Sequence, residues 1–169
     1  MALGMVMAMH TAHAADETYI GVQVSGLELE DDQTDNTLEP SAFVGRIGGS
    51  MNGLLTFEGR IGTGLSDDSR RSGGGTITAD LNYLVGGYGL LRGNVSGTLF
   101  PYAIAGGSLL DFNATGDEDI DGTETSLSYG AGFDARVTPG FKVGIEYIRY
   151  VDGQDYDLDA LSVSIVSRF

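Results

Sequence analysis

Thr125-Ser-Leu-Ser-Tyr-Gly-Ala-Gly-Phe-Asp-Ala-Arg-Val137 alternates without a fault after its first residue. Leu127, Tyr129, Ala131, Phe133, Ala135 and Val137 share one parity; Ser126, Ser128, Gly130, Gly132, Asp134 and Arg136 share the other. A period of two belongs to an extended strand, whose successive side chains point to opposite faces. As a helix the same residues would scatter both sets around the axis. This segment therefore has one wholly apolar face and one that is small, polar and charged.

The same alternation recurs along the chain and predicts eight strands: about Tyr19–Leu29, Ala42–Ser50, Leu54–Gly62, Thr76–Leu90, Leu99–Phe112, Thr125–Val137, Phe141–Tyr150 and Leu158–Phe169. In the first, Ile20, Val22 and Val24 oppose Gly21, Gln23 and Ser25. In the third, Leu55, Phe57 and Ile61 oppose Thr56, Glu58 and Arg60. In the fourth, Ile77, Ala79, Leu81, Tyr83 and Val85 read as the apolar face, with Asp80 opposite. In the fifth, Phe100, Tyr102, Ile104 and Leu110 read as the apolar face against Ala103, Ala105 and Gly107. Tyr19, Phe43, Phe57, Phe112, Phe133, Phe141, Tyr147 and Phe169 are also assigned to the apolar side.

Connections alternate in length. Met51-Asn-Gly53, Arg92–Gly97 and Thr138-Pro-Gly140 are short and rich in turn residues. Glu30–Ser41, Ser66–Gly75, Asn113–Glu124 and Val151–Asp157 are longer, polar and acidic. Alternating short and long connections around an even set of strands is the pattern of a transmembrane barrel.

A soluble barrel turns its apolar face inward, whereas a membrane barrel turns it to lipid. The charges on the polar face decide between them. Arg46, Arg60, Arg136, Lys142 and Arg168 stand there against Glu58, Asp80, Asp134 and Glu146, close to neutrality in a chain whose formal net charge is −15. A solvated face has no reason to balance its charges. A confined lumen has one, because an unpaired buried charge costs several kcal/mol. These nine residues are read as a lumen charge network paired across neighbouring strands.

Composition removes other classes. There is no Cys, so no disulfide, zinc-thiolate site or thiol nucleophile is possible. The strong negative charge argues against a nucleic-acid partner, which requires a basic footprint. Ala2 to Met9 form a short apolar run, and Ala12-His-Ala14 fits an A-x-A cleavage site. Residues 1–14 are read as a signal peptide truncated at its N-terminus, and 15–169 as the barrel. The only histidines, His10 and His13, fall in that leader, so Ser–His hydrolysis is excluded in its usual form. No catalytic residue and no cofactor are expected. Asp117-Glu-Asp119-Ile-Asp121-Gly122 opens like a calcium loop, but Ser128 stands where the closing bidentate Glu belongs. Asp117, Asp119 and Asp121 are a weak metal candidate, and an acidic surface loop is the plainer reading.

The last strand, with Leu161, Val163, Ile165 and Phe169 on one parity, resembles the signal read by the barrel-assembly machinery. Ser167 stands where that pattern usually has a large residue. Leader, alternating strands, short turns, acidic loops and terminal Phe169 together resemble the small OmpA/OmpX-like outer-membrane barrels. Val44-Gly-Arg-Ile-Gly48, Phe57-Glu-Gly-Arg-Ile61 and Pro101-Tyr-Ala-Ile-Ala-Gly106 look like strands of that family's porin-like members. The resemblance implies an all-β, eight-stranded, antiparallel up-and-down barrel in the outer membrane of a Gram-negative bacterium. It implies a monomer in contact with outer-membrane lipid and lipopolysaccharide, with a possible surface ligand at the acidic loops. Three roles stay open: a non-enzymatic envelope protein, an adhesin or host-interaction protein, and a small passive porin.

Overall fold

Alternation of this kind closes into one continuous antiparallel sheet. The computed structural model describes residues 18–31, 36–38, 40–66, 68–72, 75–115, 120–152 and 156–169, with side chains placed over most of them. The described strands are β1 (Thr18–Asp31), β2 (Asn36–Leu38), β3 (Ser41–Ser50), β4 (Leu55–Ser66), β5 (Asp68–Ser72), β6 (Gly75–Arg92), β7 (Leu99–Thr115), β8 (Ile120–Thr138), β9 (Phe141–Asp152) and β10 (Tyr156–Arg168). Each pairs antiparallel with its neighbour, and β10 returns to β1 from Tyr19↔Arg168 to Asp31↔Tyr156. β2 pairs with β1 beyond the end of β3, and β5 pairs with β6 beyond the end of β4, so both prolong existing staves. The result is a closed barrel of eight staves, which leaves no sheet edge.

Two expectations about this framework change. The segments read as long loops are partly strand: β7 runs to Thr115, β8 begins at Ile120, and β5 occupies half of the expected loop at 66–75. A membrane crossing needs about 9–11 tilted residues, while β6, β7 and β8 have 18, 17 and 19. Their upper ends therefore stand clear of the bilayer, where acidic side chains are well solvated. Second, β6 carries a bulge: Leu81 faces Phe112, Tyr83 faces Asp111, and Asn82 is the extra residue. A bulge re-aims the side chains on one side of it. Leu81 is thus buried inside, with Leu84, Tyr88 and Leu90, instead of sharing a face with Tyr83 and Val85.

The outer face is a belt of exposed apolar side chains. Phe43, Val24, Ile20, Val163, Ile61 and Leu127 are 40 to 72 % exposed. A soluble monomer rarely shows so large an apolar surface; lipid requires it. Tyr83, Tyr129 and Tyr147 also face outward at the upper margin of the belt. Above them come Glu28, Asn82, Asp111, Arg149, Asp157 and Asp159. Glu28 lies opposite Asp159, and Asp159 opposite Arg149. Arg149 Nε donates to Asp159 Oδ1 at 2.8 Å, and its Nη1 lies 3.0 Å from Asp157 Oδ2. The Arg149 hydrogen bonds hold the Asp159 carboxyl below its usual range.

Candidate functional site

The inner face of β3, β4, β8 and β9 carries Arg46, Glu58, Arg60, Asp134, Lys142 and Glu146, all nearly inaccessible to solvent. Glu58 is the hub. It accepts from Arg46 Nη2 at 2.7 Å and from Arg60 Nε at 2.6 Å, and the Tyr19 hydroxyl donates to it as well. Arg60 then reaches away from Glu58. Its Nη1 and Nη2 donate to Glu146 Oε1 and Oε2 at 2.6 and 2.7 Å, a bidentate fork. Tyr102 OH adds a third bond to Glu146 at 2.9 Å.

This pairing differs from the expected one. Arg46 and Glu58 do sit on adjacent strands, but β4 and β9 do not touch: β6, β7 and β8 separate them one way, and β3, β1 and β10 the other. Arg60–Glu146 is therefore a clasp across the full diameter. Asp134 likewise pairs past β7, with Arg92 of β6, Nη1 to Oδ2 at 2.6 Å. Arg46, Arg60 and Arg92 are thus matched by Glu58, Glu146 and Asp134. The side chain of Asp80 lies outside the described residues, as do Asp117 and Asp119 and the side chain of Asp121.

Tyrosines complete the network. Tyr19 and Tyr102, expected on the apolar face, are 5 % and 4 % exposed and point inward. Tyr19 shares its parity with Gly21 and Gln23, so the lipid-facing assignment contradicted its own strand. In β7 the whole assignment reverses: Tyr102, Ile104, Ser108 and Leu110 are inside, and Ala103 and Ala105 are outside. Both faces of β7 are apolar, and only Ser108 marks the inner one. Three inward rings lie over glycines directly opposite in register: Tyr19↔Gly48, Tyr88↔Gly106 and Tyr102↔Gly132. A Cβ on Gly48 would stand 2.5 Å from Tyr19 Cζ, and one on Gly132 2.7 Å from Tyr102 Cζ. The glycines of the inner face are cups for these rings. The rings in turn carry arginines, with Arg60 Cζ 4.8 Å from the Tyr88 centroid and Arg92 Cζ 5.3 and 5.2 Å from those of Tyr19 and Tyr102.

Above the charges the lumen becomes apolar. Leu27, Ala42, Val44, Leu81, Leu84, Leu110, Ile148, Tyr150, Leu158 and Ala160 form the upper part of one buried cluster, which continues beside the charges through Tyr88, Leu90, Tyr102 and Ile104. Hydroxyl pairs line the level between, with Ser25–Ser162 at 2.8 Å and Tyr88–Ser108 and Ser108–Ser128 at 2.6 Å. Arg136, Lys142 and Arg168 lie apart from the clasp and line a cavity at the short-turn end. Leu161, Val163, Ile165 and Phe169 face outward, and Phe169 N–H donates to Thr18 O at 3.1 Å.

The profile of the outer membrane protein beta-barrel domain matches residues 1–169. The chain belongs to this outer-membrane β-barrel family. Its place is therefore the outer membrane of a Gram-negative bacterium. The barrel shares its fold with Ail, the attachment invasion locus protein of Yersinia pestis, solved with the heparin analogue sucrose octasulfate. The two are 17 % identical at a TM-score of 0.65, covering 91 % of this chain and 99 % of that one. Neisserial surface protein A is 15 % identical at a TM-score of 0.64, covering 90 % and 97 %. The N-terminal β-barrel domain of Pseudomonas aeruginosa OprF is 15 % identical at 0.55, covering 86 % and 96 %. Identities this low show the fold alone. No curated protein sequence matches the chain.

Arg92 and Tyr88 are lumen residues that the sequence reading missed, whereas Gln23 lies on the face it assigned to the lumen. Arg92 sat at a turn boundary, yet it shares the parity of Tyr88 and Leu90. Gly86-Gly-Tyr-Gly89 gave no contrast between faces from which to count.

Proposed function

We propose that this barrel is a non-enzymatic envelope protein, closed to solutes, that braces the outer membrane and holds an acidic rim at the cell surface. The observation that carries this reading is the Arg60–Glu146 clasp across the diameter, lying beneath an apolar packed layer. Charges tied to opposite walls exclude mobile ions, and an apolar plug excludes the water that would carry a solute. Residues 15–169 offer neither His nor Cys to act as base or nucleophile. The protein works as a monomer in contact with lipid and lipopolysaccharide, and Phe169 serves its recognition during assembly. In the test, a strain lacking the protein becomes sensitive to detergents and bile salts. The intact chain restores resistance without raising small-sugar permeation of reconstituted vesicles. Rapid sugar entry into those vesicles, or undiminished resistance in the deletion strain, would refute the reading.

A second reading, adhesion, is favoured by the strand ends that rise past the belt and by the shared fold with a protein named for attachment. The chemistry of the rim differs from what a sulfated sugar needs. Asp157 and Asp159 hold Arg149, Glu28 lies opposite Asp159, and the upper end of β6 is paired by β5, which carries Arg70 and Arg71 beside Asp68. A polyanion is repelled by such a rim, whereas a basic surface, or an anionic one bridged by divalent cations, is attracted. Neutralising Asp157 and Asp159 lowers cell binding under this reading and leaves envelope resistance intact.

A further inference from the structure

One joint between staves has no connection to set it. Neighbouring staves elsewhere follow one another along the chain, and the turn between two strands fixes their register. β1 and β10 are the first and last described strands and meet only by closure. Their ladder runs from Tyr19↔Arg168 to Asp31↔Tyr156 without a register shift, so no bulge pins it either. Nor does the alternation of faces. A slip of one residue would turn every side chain to the wrong face, but a slip of two restores the parity. Val22 lies opposite Ile165 and Val24 opposite Val163. Slipped by two, Ile20 would meet Ile165, Val22 would meet Val163 and Val24 would meet Leu161, every pair still apolar and still outward. Inside, the seam offers Gly21, Gln23 and Ser25 against Ser162, Ser164 and Val166, small or flexible side chains with little shape to tell one stagger from the next. Yet stagger sets the tilt and the width of a barrel together.

The clasp measures that width. Arg60 and Glu146 stand on opposite staves, and one of the two routes around the wall from β4 to β9 runs through the seam. The fork holds both oxygens at 2.6 and 2.7 Å, and Arg60 Nε is tied to Glu58 at 2.6 Å, so the guanidinium has little freedom to follow a moved wall. A two-residue slip displaces one seam strand along the other by about 6.6 Å, which the barrel takes up as a change of tilt and width. Both seam strands are coupled to the clasp. Tyr19 of β1 donates to Glu58, Gln23 of β1 accepts from Arg46 Nη1 at 3.3 Å, and Ser162 of β10 lies opposite Glu146 in register. Exclusion of solutes does not call for such a device. The apolar layer above shuts the lumen too, and well-packed apolar residues of similar volume are often no less stabilising than a buried ion pair. The best attested use of a buried ionic group is to fix a register. We propose that the Arg60–Glu146 clasp sets the stagger at which β1 meets β10, the one register of the barrel that no turn determines.

The chain has no Cys, so the register can be read by disulfide capture. Val22→Cys, Val24→Cys and Val163→Cys are placed together in the full barrel, which is refolded in phosphatidylcholine nanodiscs and treated with a membrane-permeant oxidant. In the native register position 163 faces position 24, while position 22 stands diagonally, about 7–8 Å off and beyond disulfide reach. The 24–163 bridge should therefore dominate in peptide mass spectra. Arg60→Met with Glu146→Gln removes the fork and leaves Glu58 paired with Arg46. In that double variant the share of the 22–163 bridge should rise roughly tenfold or more, since two charge-assisted hydrogen bonds no longer favour the native stagger. Leu110→Ala weakens the apolar layer without touching the clasp and should leave the share unchanged. Glu146→Gln alone keeps Arg60 held by Glu58 and should give a smaller rise of the same sign, so the idea is tested even if the double variant fails to fold. An unchanged share in variants that migrate as folded barrel overturns the proposal. So does an equal rise with Leu110→Ala, or a 22–163 bridge already prevalent while Arg60 and Glu146 are intact.

Discussion

Replacing Arg60 with methionine removes the clasp while keeping the volume of the side chain. Three charge-assisted hydrogen bonds disappear, one to Glu58 and two to Glu146. Glu58 retains Arg46 and Tyr19, so its charge stays matched. Glu146 retains only the Tyr102 hydroxyl in a site 1 % exposed. Breaking a buried pair from one side costs about 3–5 kcal/mol. Proton uptake sets a ceiling on that cost. Neutralising a carboxyl of ordinary pKa about 4.3 at pH 7 takes about 3.7 kcal/mol, and the figure falls by about 1.4 kcal/mol for each unit the pH is lowered. Arg60→Met is therefore expected to lose 3–4 kcal/mol at pH 7, by roughly this bookkeeping, and markedly less at pH 5. Adding Glu146→Gln, which still accepts from Tyr102, should recover about 2 kcal/mol of the loss. The assay is urea unfolding in lipid vesicles, read by gel migration without heating and by circular dichroism, since the chain has no Trp. A single variant within about 1 kcal/mol of the parent, or a double variant no better than the single one, would refute the clasp as described.

Gly132→Val should displace the Tyr102 ring and cost about 1–3 kcal/mol; Gly107→Ala, which meets nothing within 4 Å, should be nearly silent in the same urea assay. The Arg149–Asp159 pair depresses a carboxyl, so its contribution is present above the ordinary carboxylate range and disappears as the pH falls through the lowered value. Asp159→Asn should accordingly cost under about 1 kcal/mol at pH 6, because the pair is partly solvated, and nothing in unfolding curves once the pH lies well below the lowered value. Deleting Phe169 should reduce the amount of heat-modifiable barrel in outer-membrane fractions and leave protease-sensitive chain in the periplasm; full yield after deletion would remove the assembly role assigned to that residue.

How far the residues alone disclose this molecule depends on the contrast between faces. β8 and β9 alternate apolar against polar, so their facing follows directly from parity, and so does that of β3 and β4. β7 alternates large apolar against small apolar, and the large residues proved to be the inward ones. Large side chains fill a narrow lumen, while Ala and Gly suffice against fluid lipid. β6 defeats parity for another reason: the bulge at Asn82 shifts the count, and nothing in the local sequence announces it. The strand ends were misjudged because acidic residues above a membrane obey no alternation, so a solvated hairpin reads like a loop. The clasp itself was out of reach. Sequence order supplies neighbours around the wall, and Arg60 and Glu146 are partners because the wall closes. The tyrosine–glycine pairs are a legible sign of the same closure, since inward glycines need rings to fill the space they leave.

The central claim is that the lumen is shut at two levels, by ions tied across it and by apolar side chains above them. Planar-bilayer recording of the unmodified, refolded chain tests this most directly. The account predicts no stable conductance approaching about 1 nS at moderate voltage, and a baseline interrupted at most by brief, small events. A steady open channel of that size, unaffected by substitutions at Arg60 or Glu146, would contradict it.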